Sequence, residues 1–161
     1  MTQTLLILTI IAVAFKRTII MLNNIKPSKM YIGKLSHGMD LLEEITALCI
    51  KEDITLGRIE GIGAVQKARI GYYNQAAREY QYIDLNSHLE ITNLVGNVSI
   101  KDNKPFVHGH ITLADEKGNA FGGHLAQGTV IFACEIILHA FEGPVLTRSY
   151  DDVTELPLWQ D

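Results

Sequence analysis

The chain lacks the cysteines that would define a disulfide-rich protein. Its 161 residues include only two, Cys49 and Cys134, which is too few for a disulfide framework. Each lies in an apolar run, a setting typical of a buried thiol that packs as a small hydrophobic side chain. We therefore expect a reducing compartment, the cytoplasm, as the location of the protein.

Basic charge is also scarce. Fourteen Lys and Arg residues stand against eighteen Asp and Glu residues, which gives a formal net charge of -4 and a pI of about 5.8. Proteins that bind nucleic acids usually present a basic face to the phosphate backbone. The composition does not support a DNA partner, although a local basic patch remains compatible with it.

One long apolar run stands out, and no segment is long enough to span a membrane. Leu5–Phe15 is almost wholly apolar, but a transmembrane helix needs about 20 such residues. The residues at 12–14 would suit a signal-peptide cleavage site, yet no Lys or Arg precedes the run. Met21 and Met30 offer later starts. We predict that residues 1–25 are an N-terminal extension outside the fold, either a misassigned start or a leader.

The glycine motif of nucleotide-binding sites is incomplete. Gly61 and Gly63 in "EGIGAV" lack the third glycine of GxGxxG, and no helical pattern follows them. A β-bulge or a tight bend is the better interpretation of this pair.

The remaining chain has the pattern of one α+β domain. The apolar fraction is 47%, enough for a single core in a chain of this length. Residues 37–53 predict an amphipathic helix in which Asp40 and Glu43 form a capping pair, and Leu41, Ile45, Leu48 and Cys49 fall on one face. We predict a core domain over residues 26–143 and a mostly irregular C-terminal tail over residues 144–161, anchored by Trp159 or meeting a neighbour through it.

Alternating and β-forming residues predict an antiparallel, sandwich-like sheet on which this helix packs. The predicted strands are "KMYIGKL", "QKARIGYY", "EYQYIDL", "LEITNLVGNVSI", "PFVHGHITLAD" and "GTVIFACEIILHAF". In the second of these, Ala68, Ile70 and Tyr72 should share the buried face. The last strand, within residues 128–141, is apolar on both faces apart from Glu135 and His139, so a helix, a second sheet or another subunit should cover each side.

Three histidines are the strongest candidates for chemistry. On a strand over residues 106–114, His108 and His110 point to one face, because successive side chains alternate. The turn "DEKGN" and the pair Gly122 and Gly123 then bring His124 back beside them. Three neutral imidazoles with an open fourth position are the ligand set of many zinc sites. The alternative is three polar residues that share one hairpin, whereas His37, His88 and His139 are expected to be structural or exposed.

Longer motifs resemble a known family. "GIGAVQKARIGYYN", "EITNLVGNVSIKDNKPFVHGHITLADEKGNAFGGHLAQGTV" and "ACEIIL" occur in the order typical of the PPC (plants and prokaryotes conserved) domain, and the resemblance covers about residues 29–140. It implies an α+β fold with a main antiparallel sheet, a homotrimer, and candidate metal ligands in "HGH" and "GGHL". These map onto His108, His110 and His124. Gly109 is smaller than the usual middle residue, which alters the packing behind the ligands.

Three functional hypotheses follow. The first is a trimer that holds a metal ion, zinc, at the three histidines, for structure or for an unidentified small-molecule ligand. The second is a DNA-associated regulator, as for plant members, whose Arg-rich AT-hook is absent here; Lys67, Arg69 and Arg78 would be its basic surface. The third is a zinc-dependent hydrolase or lyase, for which Glu135 and Glu60 are the nominated general bases.

Overall fold

The computed structural model describes residues 21–160 of the chain. The predicted N-terminal extension therefore lies largely outside the described residues. Within them the structure has one helix and nine strands. In chain order these are β1 (Lys26–Lys34), α1 (Leu41–Lys51), β2 (Gly57–Asn74), β3 (Glu79–Leu85), β4 (Leu89–Lys101), β5 (Lys104–Ala114), β6 (Ala120–Leu125), β7 (Val130–Glu142), β8 (Arg148–Asp151) and β9 (Leu156–Trp159).

Seven strands form one antiparallel sheet, which confirms the predicted α+β class. Its order is β1-β7-β2-β4-β5-β6, with β3 paired to the far half of β2. The sheet curls so strongly that β6 also returns to β2, where Gly71 pairs with His124. The sandwich-like layering thus arises from one curled sheet around a shared apolar core.

The eighteen-residue strand β2 takes part in both halves of the sheet, and a bulge at Gly61 and Gly63 bends it. Gly63 has a φ of 145°, in a region that side chains rarely adopt. A Cβ atom there would lie 2.1 Å from the carbonyl oxygen of Ala133. The predicted bulge is confirmed, and its glycine lets β7 approach closely.

Helix α1 packs its predicted face into the core. Leu41, Ile45 and Cys49 are fully buried, and Leu48 lies at the edge of the cluster. The side chain of Asp40 accepts a hydrogen bond from the backbone N–H of Glu43 at 3.0 Å, which confirms the predicted cap. The Glu43 carboxylate accepts from the Gln127 amide, so the cap also ties the helix to the loop before β7.

One prediction about exposure needs correction. Ala68 and Ile70 are buried as expected, but Tyr72 is 62% exposed, because β2 crosses from the core to its outer hairpin there. For β7, the sequence predicted that a helix, a second sheet or another subunit covers each face. Within a single chain only one face is buried, and Phe132 and Ile137 on the other face are exposed.

The tail is more ordered than predicted. Instead of an irregular segment, β8 and β9 form a two-stranded hairpin. Its turn is held by Asp151, whose carboxylate accepts from the backbone N–H and the hydroxyl of Thr154. Strands of four residues carry too few side chains to show an alternating pattern, which explains why the sequence did not reveal the hairpin.

Candidate metal centre

Strand β5 places two histidines on the open face of the sheet. Val107, Ile111 and Leu113 point into the core and are buried. Because side chains alternate along a strand, His108 and His110 must point the other way, and they are half-buried and exposed, respectively. The predicted face assignment is confirmed.

The third histidine arrives through strand register. His124 on β6 pairs directly with His110 on β5, so the two side chains share a face. The ring centroid of His124 lies 5.1 Å from that of His108 and 5.6 Å from that of His110, and the His108 and His110 centroids are 5.3 Å apart. The hairpin therefore brings together the three histidines that the sequence singled out.

The three histidine side chains lie almost close enough together to bind one metal ion. One ring nitrogen from each histidine lies within 4.8 Å of the other two. Ligands around a tetrahedral zinc ion, each about 2.0–2.1 Å from the metal, stand roughly 3.3 Å apart. Small side-chain rotations would close the difference, because the strands already fix the three backbones.

Two further observations fit a metal better than a hydrogen-bonded trio. Nδ1 of His124 is buried and has no hydrogen-bond partner among the described residues. Burial lowers the pKa of His108 to about 4, helped by the nearby positive charge of Arg148, and burial also lowers the pKa of His124. Both imidazoles are therefore neutral at pH 7, which is the form that binds metal ions.

Arg148 is the residue at this site that the sequence did not reveal. It begins β8, is only 8% exposed, and its guanidinium lies 3.5 Å from Nδ1 of His108. It donates hydrogen bonds to Ser99 Oγ at 2.8 Å, Asn97 Oδ1 at 2.9 Å and the Pro157 carbonyl oxygen at 3.1 Å. The contact joins positions 40 residues apart in the chain, and no local pattern marks it.

Aromatic rings surround this group. The guanidinium carbon of Arg148 lies 5.4 Å from the Phe106 ring centroid and 5.2 Å from that of Trp159. Trp159 thus anchors the tail, which is one of the two roles that the sequence predicted for it. On the other side of the cluster, Tyr80 packs against His124 with ring centroids 5.2 Å apart, and burial raises the pKa of its hydroxyl.

The other histidines lie elsewhere. His37 contacts the Phe132 carbonyl oxygen through Nδ1 at 2.7 Å, His88 is exposed, and His139 lies 3.7 Å from Glu60. Glu60 also forms an ion pair of 2.6 Å with Arg58. Charge partners thus account for Glu60, and Glu135 lies with it along a groove on β1, β2 and β7. These two carboxylates are the predicted general bases, and both of them line that groove.

The cysteines and the nominated basic surface have structural explanations. Cys49 and Cys134 are buried, and burial raises their pKa values to about 12 and about 11, so neither is a ready thiolate nucleophile. Arg78 forms an ion pair of 2.6 Å with Glu155, and Arg69 lies 3.6 Å from Asp84. Carboxylates therefore offset two of the three cations proposed for DNA.

The helix of the described region is too short to cross a membrane.

Comparison with known proteins identifies relatives of the whole domain. Residues 23–142 match the Plants and Prokaryotes Conserved (PCC) domain, the family also abbreviated PPC. The tail that carries Arg148 lies beyond this match.

Solved structures extend the match. A protein from Archaeoglobus fulgidus described as metal-containing is 37% identical, with a TM-score of 0.84 over 88% of this chain and all of that one. A plant- and prokaryote-conserved protein from Pyrococcus horikoshii is 35% identical, with a TM-score of 0.83 over 88% of this chain and 98% of that one. A protein from Ralstonia eutropha with a provisional DNA-binding description is 27% identical, with a TM-score of 0.72 over 81% and 90% of the two chains.

Curated relatives are much longer. The bifunctional protein GlmU from a Synechococcus strain is 30% identical over 112 residues, which are 68% of this chain and 16% of that protein. The chain therefore spans about a sixth of the length of the curated relatives it matches.

Proposed function

The chain belongs to the Plants and Prokaryotes Conserved domain family, and we propose that it is a homotrimeric metal-binding protein that holds zinc at His108, His110 and His124. The observation that carries the proposal is the approach of three ligand nitrogens to within 4.8 Å of one another. The metal-containing description of the Archaeoglobus fulgidus relative supports it.

The donor set favours zinc. Three imidazoles without a thiolate or carboxylate suit zinc, whose catalytic sites keep three protein ligands and one open position. A zinc ion bound there would act as a Lewis acid toward an oxygen-bearing small-molecule ligand. The chain's own contribution is to fix the imidazoles on paired strands, keep His108 and His124 neutral by burial, and pack the Tyr80 ring against His124.

Replacing each ligand in turn tests the site. His108→Ala, His110→Ala and His124→Ala should each lower zinc affinity by about 100-fold or more, because two imidazoles hold zinc far less tightly than three. Zinc affinity would be measured by competition with a chromophoric chelator, on protein purified without a metal-affinity column.

His37→Ala, His88→Ala and His139→Ala are the matched controls, since these side chains have other surroundings. They should keep the affinity of the unchanged protein. Equal losses in both sets would mean that the histidines act through folding, and the proposal would then fail.

The open face of the sheet supports the trimer. Ile32, Ile62 and Ile137 are 83%, 58% and 36% exposed, and they line or border one groove with Glu60 and Glu135. Apolar side chains at this density on one surface are typical of a protein interface. A second and third copy of the chain would bury them.

Light scattering tests the assembly. The unchanged protein should have a mass about three times the 17.9 kDa of one chain. Ile137→Asp should shift it toward monomer, because a charge in a buried apolar interface is costly. Ile131→Asp is not an assembly variant, since Ile131 is fully buried within one chain, and it should unfold the protein instead. A monomeric mass at micromolar concentration for the unchanged protein would refute the trimer.

The DNA-associated alternative has one observation in its favour, the provisional description of the Ralstonia eutropha relative. The net charge of -4 and the ion pairs of Arg69 and Arg78 oppose it. Any duplex binding should therefore be weak and disappear at physiological salt. A nanomolar, sequence-specific complex at that salt concentration would favour the alternative.

A further inference from the structure

A cavity of about 510 Å³ opens beside the histidine cluster. This volume falls within the range of small-molecule binding sites, roughly 300–1,000 Å³. Its walls are largely apolar and come from strands of both sheet halves and from residues 21–25. They include Leu22, Ile25, Leu56, Phe141 and Leu146.

One end of the cavity is polar. Arg58, Asn97 and His108 stand in register across β2, β4 and β5, and all three line the cavity with His110. The charge of Arg58 is offset by its 2.6 Å ion pair with Glu60. The polar end therefore presents imidazole nitrogens and an amide beside an apolar chamber.

The guanidinium of Arg148 lies directly behind this polar end. It contacts three of the lining residues, Asn97, His108 and Trp159. Its hydrogen-bond acceptors are a hydroxyl, an amide and a carbonyl oxygen, all neutral. No carboxylate lies within 4 Å of it among residues 21–160. A buried cation without an anionic partner is unusual, because buried charges are generally paired.

We propose that this cavity binds a small organic carboxylate, with the carboxylate at the His108 and His110 end and an aliphatic chain in the apolar chamber. Arg148 supplies the positive potential that selects an anion over a neutral molecule of the same shape. The inference deepens the proposed function by naming the ligand class of the same site. The inference does not depend wholly on the proposed function, because the charge of Arg148 is present with or without a metal.

Linear carboxylates are the probes. Acetate, butanoate and hexanoate would be titrated by calorimetry into metal-free and zinc-loaded protein, with hexanamide as the neutral match for hexanoate. Affinity should rise by about fourfold for each buried methylene. Hexanoate should bind at least tenfold more tightly than hexanamide in both forms of the protein.

Two variants separate charge from shape. Arg148→Gln should bring hexanoate down to the affinity of hexanamide while leaving hexanamide unchanged. The same substitution should tighten zinc binding by on the order of tenfold, since it removes a cation beside a dication. A substitution that only loosened the tail would weaken the binding of both hexanoate and zinc. It would not weaken one and tighten the other.

Val95→Phe fills the cavity from β4, where Val95 is 38% exposed and lines the chamber. It should abolish the dependence on chain length and keep the preference for carboxylate over amide. Ile83→Phe, on the exposed side of β3, is the matched control and should change neither.

The outcomes distinguish this inference from the proposed function. Zinc binding without any carboxylate binding would overturn the inference and leave the metal site standing. Carboxylate binding that depends on Arg148, in a protein that takes up no zinc, would support the inference and refute the proposed metal site. Equal affinity for hexanoate and hexanamide in the unchanged protein would also overturn the inference.

Discussion

Two hairpins meet at the histidine cluster, and they are held in the molecule in different ways. The β5–β6 hairpin is part of the main sheet, with β5 paired to β4 along its whole length of eleven residues and its inner face in the core. The β8–β9 hairpin pairs with itself, and a short backbone bridge between Thr147, just before β8, and Ile100 of β4 joins it to the sheet. Beyond that bridge it is held by side chains, chiefly Arg148 and the Tyr73 hydroxyl, which donates to the Thr154 carbonyl oxygen at 2.7 Å.

The β5–β6 hairpin is therefore the rigid part of the site, and the β8–β9 hairpin is a part that modifies it. The three candidate ligand histidines lie on strands whose backbone pairing cannot be lost without unfolding the sheet. The tail adds a charge and an aromatic ring from outside the domain that the family match covers. We therefore expect changes in the first hairpin to affect stability and metal binding, and changes in the second to tune the site.

The largest expected effect comes from the core side of the first hairpin. Ile111 is 1% exposed, and Ile111→Ala should lower the free energy of unfolding by about 2–5 kcal/mol through lost burial and a new cavity. Leu156→Ala, the matched change in β9, removes a half-buried side chain and should cost about 1 kcal/mol or less. Urea denaturation would measure both, and equal costs would contradict the comparison.

The next effect depends on pH. His108 has a pKa of about 4 in the folded protein against an ordinary value of 6.5, so the unfolded state binds the extra proton first as pH falls. Metal-free protein should therefore lose stability between about pH 6.5 and pH 4, and lose no more from this group below pH 4. Because solvent screens this half-buried side chain, the loss should be about 1–2 kcal/mol, below the value that the full shift would give.

Urea denaturation at pH 7, 5.5 and 4 would measure this loss. His108→Gln should lack the part due to this residue, while His88→Gln, at an exposed position, should behave as the unchanged protein. A His108→Gln variant with the full pH dependence would show that the loss arises elsewhere.

The smallest effect concerns the aromatic contact of the tail. Trp159→Ala removes the ring that packs on the Arg148 guanidinium and should cost about 0.5–1 kcal/mol. Leu158→Ala, a neighbour with similar exposure, controls for the loss of apolar surface. If Leu158→Ala is as costly as Trp159→Ala, the ring contributes only its area.

The same contrast decides how much could be predicted from the sequence. Strand alternation placed His108 and His110 on one face, and the turn after Ala114 with Gly122 and Gly123 returned His124, because these relations are local. The strands of the tail hairpin are too short to show alternation, and the contact between Arg148 and His108 joins distant positions through side chains. Neither periodicity nor spacing encodes such contacts, so the sequence alone predicted an irregular tail and did not indicate Arg148.

The X-ray absorption spectrum of the zinc-loaded protein at the zinc edge would test directly whether the three histidines bind one zinc ion. We expect one zinc per chain, with three imidazole nitrogens at about 2.0–2.1 Å and a fourth light-atom ligand. A spectrum with sulfur or with fewer than three imidazoles would contradict it. So would protein that takes up no zinc at neutral pH.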